Sequence, residues 1–322
     1  MSENAKIVVC AYHNVGYRCL GELLRQGARV VAVFTHQDSP SEEIWFSSVK
    51  ELAERNGIPC QVGDVNLPEN MELLREIGPD FLFSFYYRFM INKEILGIPK
   101  RGALNLHGSL LPKYRGRVPI NWAIINGEME TGATLHYMVE KPDAGDIVDQ
   151  EKVSIEFSDT VRDVFHKVTD AAARVMMRSW PLLLAGKSAR IPMDLSAGSY
   201  YGGRKPSDGQ IDWSRSAVDV YNLVRGVTHP YPGAFTFLGG RKVFVWEARP
   251  VAGTARAGEI VSDSPLLVGT GDGLLEILSL QIEPGGEIGA AEFAVKHPVA
   301  GKYFQFVHSK SPLLIKIAGN SC

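Results

Sequence analysis

The chain has 322 residues, 45% of them hydrophobic, so it exceeds one ordinary domain and can bury a core without covalent staples. Its 34 Lys plus Arg nearly balance 36 Asp plus Glu, which excludes the broad positive field of a nucleic-acid binder or peripheral membrane protein and points to a small-molecule partner. Cys10, Cys19, Cys60 and Cys322 lack Cys-x-x-Cys spacing, and there is neither a leader pattern nor a run of about 18 apolar residues; a cytoplasmic protein with no membrane insertion is expected.

Short runs rich in β-branched and aromatic residues stand at Ile7 to Ala11, Val30 to Thr35, Phe81 to Tyr86, Ala103 to Leu106 and Thr134 to Val139. Between the first two, Leu20, Leu23 and Leu24 share one helical face that Gly27 ends, and a helix near Glu43 to Asn56 is closed by Gly57 and followed by Pro59. This βαβ rhythm predicts an α/β fold: a Rossmann-like, mostly parallel sheet with helices on both faces and ligands beyond the carboxyl ends of its strands. A long helix starts near Asp159 or Thr160 and runs to about Leu184, with Val161, Val164, Phe165, Val168, Ala171, Ala172, Val175 and Met176 at three- and four-residue steps. Residues 1–195 thus read as a catalytic domain and 196–209, rich in Gly, Ser, Tyr and Arg, as a linker with contacts of its own. One short helix, Ser216 to Gly226, then gives way to Ala234 to Leu238, Lys242 to Trp246, Glu259 to Val261, Leu266 to Gly269 and Leu274 to Ile282, separated by Gly-Gly or Asp-Gly turns. A small OB-like β-barrel over 210–308 is expected, with a poorly ordered tail at 309–322.

Asn105 and His107 stand where an apolar strand meets the loop Gly108-Ser109-Leu110-Leu111-Pro112-Lys113-Tyr114-Arg115-Gly116. Strand alternation puts both side chains on one face. Asp143 follows in a turn after the Thr134 to Val139 run, so a carboxylate reaches the imidazole if the two strands are neighbours. An amide, an imidazole and a carboxylate are the groups that acyl transfer to an amine requires. His13, His36 and His136 read as satisfied structural histidines, and no pair of them has metal spacing. The first strand-to-helix turn, Ala11 to Gly16, lacks a Gly-x-Gly-x-x-Gly fingerprint, which disfavours a dinucleotide.

The pattern Asn-x-His-x-Ser-Leu-Leu-Pro-x-x-x-Gly at Asn105 to Gly116, with Asp143 downstream, resembles the formyltransferases that use 10-formyltetrahydrofolate. Ala11-Tyr12-His13, Phe34-Thr35-His36, Phe83 to Arg88, Tyr114 to Arg117, Arg204 to Asp208 and Tyr231 to Phe235 are similar to one branch, which formylates UDP-4-amino-4-deoxy-L-arabinose in lipid A remodelling and polymyxin resistance. The resemblance covers roughly residues 5 to 300. It implies Asn105, His107 and Asp143 as the catalytic set. It also implies folate contacts from Phe89, Met90 and Ile91 and from Val139, Glu140, Lys141, Pro142 and Asp143, with Arg117 near the sugar nucleotide. Arg117 and Arg204 are diphosphate or uracil-side candidates because a guanidinium forks onto phosphate oxygens. The expected co-substrate is 10-formyltetrahydrofolate without a metal, and the expected partner a nucleotide sugar.

Methionyl-tRNA formyltransferase shares the Asn-x-His and Asp pattern, but would be expected to carry a basic loop after the second strand. Here that stretch, Gln37 to Glu43, is acidic. Related formyltransferases acting on other nucleotide-linked amino sugars are a further alternative. No glycine-rich dinucleotide fingerprint follows before Cys322, so the formyl step alone is expected, without the decarboxylase that accompanies it in well-known members of the branch.

Overall fold

The computed structural model describes residues 5–40 and 43–305; the expected tail at 309–322 lies outside them. These residues fall into two compact units, the first of 5–206 with 225–232, the second of 207–224 with 233–305.

In the first unit, β1 (Lys6–Ala11), β2 (Arg29–Thr35), β3 (Cys60–Val62), β4 (Phe81–Phe85) and β5 (Ala103–His107) pair in parallel. The long strands β7 (Glu130–Tyr137) and β8 (Ile147–Ser154) add antiparallel pairs, giving a seven-stranded sheet ordered β3-β2-β1-β4-β5-β7-β8. The strand order reverses between β1 and β4, where a ligand crevice is expected in such sheets.

Period-two alternation divides the core between the two faces of the sheet. Ile7, Val9, Phe81, Phe83, Leu104 and Leu106 face one cluster, while Val8, Cys10, Leu82 and Ala103 face the other. The first cluster is covered by α1 (His13–Arg25) and α6 (Val161–Leu184), the second by α3 (Pro68–Ile77) and α4 (Lys93–Leu96). Thr160 starts α6 with a capping box: its hydroxyl accepts from Asp163 N–H and the Asp163 carboxylate accepts from Thr160 N–H.

The expected helix at Glu43 to Asn56 is shorter, since α2 spans only Val49–Arg55, with Ser48 as its N-cap. Trp45 and Phe46 are spent instead on ring contacts with His13, 4.6 and 4.0 Å between centroids. Aromatic burial over the crevice end of β1 outweighs the helical preference of one more turn. The segment expected as a linker carries β9 (Tyr200–Tyr201), which pairs in parallel with β6 (Arg115–Gly116) and so joins the first unit. A short helix, α5 (Pro119–Ile125), follows β6; residues 225–232 join this unit as Asn121 donates to Gly226 O and Arg225 to the carbonyls of Glu156 and Asp159.

In the second unit, α7 (Ala217–Val227, its last three residues counted with the first) precedes an antiparallel sheet. Its strands are β10 (Ala234–Leu238), β11 (Arg241–Val251), β12 (Ile260–Asp263), β13 (Leu266–Gly269) and β14 (Leu274–Ile282), ordered β10-β11-β14-β13-β12. Residues 303–305 bridge Phe237 at one edge and Glu259 at the other, so the sheet closes. β15 (Glu287–Gly289) pairs with β14, and α8 (Ala290–Lys296) buries Phe293. Among the described residues no helix is long and apolar enough to cross a membrane.

Candidate active site

Asn105 and His107 lie on the face of β5 opposite Leu104 and Leu106, at its carboxyl end. Antiparallel pairing with β7 sets Asn105 across from His136 and His107 across from Thr134. Directly opposed residues project from the same face of a sheet, so four polar side chains gather on one patch. Asp143, in the turn between β7 and β8, reaches that patch with one oxygen. Its Oδ1 lies 3.6 Å from His107 Nδ1, 3.5 Å from His136 Nε2 and 3.4 Å from Asn105 Nδ2. The amide nitrogen of Asn105 is also 3.3 Å from His136 Nε2.

The other ends of these groups are tied to main chain. His107 Nε2 is 2.8 Å from Tyr114 O and His136 Nδ1 is 2.8 Å from Tyr137 O; a carbonyl only accepts, so both of those nitrogens carry a hydrogen. Gly116 N–H donates to Asp143 Oδ2 at 2.9 Å. The motif loop therefore holds His107 and Asp143, two of the three catalytic candidates, through its backbone. Thr134 accepts from Leu111 N–H and donates to Ser109 O, which fixes the loop's first turn. Two glycines are required by close approach. A Cβ on Gly108 would meet the Tyr86 hydroxyl, and Gly116, at φ 98°, would bring a Cβ against Tyr201 O.

Asp143 adopts φ 48°, a left-handed conformation that Asp tolerates better than most residues. Burial alone would push its carboxyl up, but the charge of His107, the hydrogen bond and charge of His136 and the Gly116 N–H outweigh that, holding it well below its ordinary 3.8. It is ionised at any working pH. The patch thus combines a fixed anion, two imidazoles and a carboxamide, a set able to carry a proton and to stabilise a developing oxyanion.

Of the residues expected to contact the folate carrier, Phe89 and Met90 are exposed, while Ile91 is buried in the core beside Ile95. Val139, Glu140 and Lys141 are exposed, and Pro142 and Asp143 partly buried. Glu140 and Lys93 form a 2.9 Å ion pair, so the two segments approach one another. Arg117 is exposed and its N–H donates to Tyr201 O; Arg204 stacks on Trp122 at 4.6 Å. Trp122 also donates to Gly202 O, which brings the 202–204 segment beside α5.

Three histidines read as structural come out differently. His36 is satisfied, accepting from Arg88 N–H at 2.8 Å. His13 is not: its buried Nδ1 has no partner, because the surrounding groups are the rings of Trp45, Phe46 and Phe165. His136 belongs to the polar patch. The legible signal was that Thr134 and His136 repeat, two residues apart, the Asn105 and His107 spacing of the adjoining strand. Arg115 was also passed over: it is 8% exposed, and its Nε is buried without a hydrogen-bond partner.

Residues 12–179 match the family model "Formyl transferase", and residues 204–298 match "Formyl transferase, C-terminal domain". In fold, the chain is similar to the N-formyltransferase from Helicobacter canadensis in complex with folinic acid and dTDP-3-aminofucose, at 19% identity and a TM-score of 0.67, covering 88% of this chain and 100% of that one. It is also similar to WlaRD, a sugar 3N-formyl transferase seen with dTDP and 5-N-formyl-THF, at 18% identity and 0.66, covering 88% and 99%. HypX from Aquifex aeolicus in complex with tetrahydrofolic acid matches at 18% identity and 0.62, over 90% of this chain; the chain spans about half of HypX's length, 47%. A motif loop that clamps an amide, an imidazole and a carboxylate, within a sequence that matches the family's models over more than half its length, makes this chain a member of the formyl transferase family.

Proposed function

We propose that the chain transfers a formyl group from 10-formyltetrahydrofolate to the amine of a nucleotide-linked amino sugar, with UDP-4-amino-4-deoxy-L-arabinose the first candidate acceptor. The observation that carries the reading is the convergence of Asn105 and His107 on Asp143 Oδ1, at 3.4 and 3.6 Å, with the backbone of the adjoining loop holding His107 and Asp143. Supporting it, the H. canadensis enzyme and WlaRD are described with a formylated folate and a dTDP or dTDP-sugar ligand, which also makes a dTDP-linked amino sugar the second candidate.

In this reading the neutral amine forms a bond to the formyl carbon, and the carrier's nitrogen–carbon bond then breaks. Asn105 N–H stabilises the oxyanion of the tetrahedral species. His107, oriented by Asp143, takes the proton released by the amine, and the departing carrier nitrogen regains one. No bond to the protein forms. Phe89, Met90 and the 139–143 turn flank the carrier; Ile91, being buried, supports that wall from behind. Arg117 and Arg204 are candidate phosphate contacts, and Arg115 joins them, since its Nε is buried without a hydrogen-bond partner and an anion would supply one. The reaction is assigned to the cytoplasm. RNA is disfavoured as acceptor by the acidic stretch after β2.

The test is to offer the purified chain a panel of UDP- and dTDP-linked amino sugars with 10-formyltetrahydrofolate and to read formyl mass gain. Formylation of UDP-4-amino-4-deoxy-L-arabinose is expected; turnover with initiator methionyl-tRNA and none with any sugar would end the proposal.

A further inference from the structure

Tyr114 supplies the carbonyl that holds the His107 ring, and it does so from φ 57°, a left-handed conformation that a bulky side chain rarely adopts. Such a residue persists only where its surroundings over-determine it. Those surroundings are residues 198–201, in the segment expected as a linker. Ser199 Oγ accepts from Tyr114 N–H at 2.9 Å, Ser199 O accepts from Arg115 N–H at 3.0 Å, and Ser199 N–H donates to Pro112 O at 3.2 Å. The Tyr201 ring stacks on the Tyr114 ring, 5.1 Å between centroids and 17° between planes, and Asn126 donates to both hydroxyls. Gly198 approaches the loop so closely that a Cβ there would meet Pro112 O.

The same strap reaches Asp143. Arg115 N–H and Arg117 N–H donate to Ser199 O and Tyr201 O, each at 3.0 Å. N–H groups of consecutive residues in an extended stretch point to opposite edges, so the Gly116 N–H between them is turned away from the strap and toward Asp143 Oδ2, at 2.9 Å. The stretch 114–117 thus has the strap on one edge and His107 and Asp143 on the other. Ser199 binds this loop with its amide, its carbonyl and its hydroxyl. Removing the hydroxyl leaves the N–H of a buried residue, Tyr114, without its acceptor.

We propose that Ser199 is a positioning residue for formyl transfer: its hydroxyl and carbonyl lock the left-handed turn at Tyr114, and through the Tyr114 carbonyl and the Gly116 N–H that turn sets His107 and Asp143 against Asn105. This rests on the formyl-transfer reading above. Ser199 acts on the alignment of the reacting groups, where a small displacement lowers the rate steeply. The proposed carrier contacts Phe89, Met90 and 139–141 lie outside the loop it holds, so the grip on the carrier does not depend on it.

The experiment has two arms. In the first, hydrogen exchange of the Gly116 amide is followed by NMR in the parent chain, in Ser199→Ala, in Ser199→Thr and in Ser196→Ala, a control whose hydroxyl bonds to Asp194 instead of the loop. The Gly116 N–H is bonded to Asp143 and not to Ser199, so it loosens only if Ser199 holds the loop as a whole. Exchange about tenfold faster is expected in Ser199→Ala, with Ser199→Thr and Ser196→Ala at the parent's rate. Parental exchange in Ser199→Ala, or equal loosening in Ser196→Ala, overturns the proposal. In the second, kcat and KM for 10-formyltetrahydrofolate are measured per folded chain. Ser199→Ala is expected to lower kcat roughly tenfold with KM within about twofold of the parent, and Ser199→Thr to keep the parent's kcat. An unchanged kcat in Ser199→Ala, a raised KM with parental kcat, or a Ser199→Thr enzyme as slow as Ser199→Ala overturns it. Ser199→Val, which matches Thr in shape without the hydroxyl, takes the place of Ser199→Ala in both arms if that chain does not fold. The first arm needs no turnover, so a chain inactive on every acceptor would sink the formyl-transfer reading while the hold of Ser199 on the loop remained measurable.

Discussion

Asp143 Oδ2 is pinned by the Gly116 N–H, so its Oδ1 has little freedom, and every functional contact of the carboxylate passes through that one atom. Replacing Asp143 by Asn keeps the size and removes the charge. A severe loss of kcat is then expected, because the amide can still hold the ring but supplies no charge; near-parental turnover of the Asp143→Asn enzyme would remove the carboxylate from the mechanism. Asn105→Ala and His107→Ala are each expected to lower kcat on the order of a hundredfold or more, with unchanged far-ultraviolet circular dichroism. A His107→Ala enzyme with near-parental turnover would remove it from the mechanism. The amide, the first imidazole and the acid were readable in order along the chain. His136 was not singled out, since a lone histidine inside a strand is usually structural and only the register with β5 brings it to Asp143.

At the level of elements, the boundaries that were readable are those written in local chemistry. The start of α6 is one: the Thr160 and Asp163 capping box marks it, and the apolar steps from Val161 to Met176 give its buried face. Thr160→Ala is expected to cost about 1 kcal/mol, measured as a lowered midpoint in denaturant with the slope unchanged. Strands β10, β13 and β14 coincide with the apolar runs that announced them. Elements were missed where local preference is weak. β3 is three residues long and β9 two, and each exists because a neighbouring strand offers hydrogen bonds. The polar run of β8 reads as a loop until pairing with β7 is known. The expected helix from Glu43 starts only at Val49 for the converse reason: tertiary contacts of Trp45 and Phe46 overrode a local tendency in its first part.

For the whole molecule, stability should fall on the acid side. Burial, reinforced by the Arg88 charge and then His166, pulls His13 down to about 3; burial and Arg88 pull His36 to about 4. In the unfolded chain both have the ordinary value of 6.5. Below it, the unfolded state binds protons that the folded state refuses, so stability declines as pH falls from 6.5 toward those values. Asp143 adds a separate loss below 3.8, where its carboxylate begins to protonate in the unfolded chain before the folded one. His13→Asn, which suits the φ of 65° there, is expected to flatten the decline of Tm between pH 6.5 and 4; an equal slope in parent and variant would remove His13 as a source. The sequence by itself determined the βαβ order, the closed second sheet, and an amide, an imidazole and an acid suited to acyl transfer, because periodicity, turn residues and motif spacing are local properties. Only the tertiary structure decided that His136 shares the carboxylate, that Gly116 anchors it, and that Arg115 is buried without a partner at Nε. Those facts depend on strand register and loop packing, which join residues whose separation along the chain carries no signal of their contact.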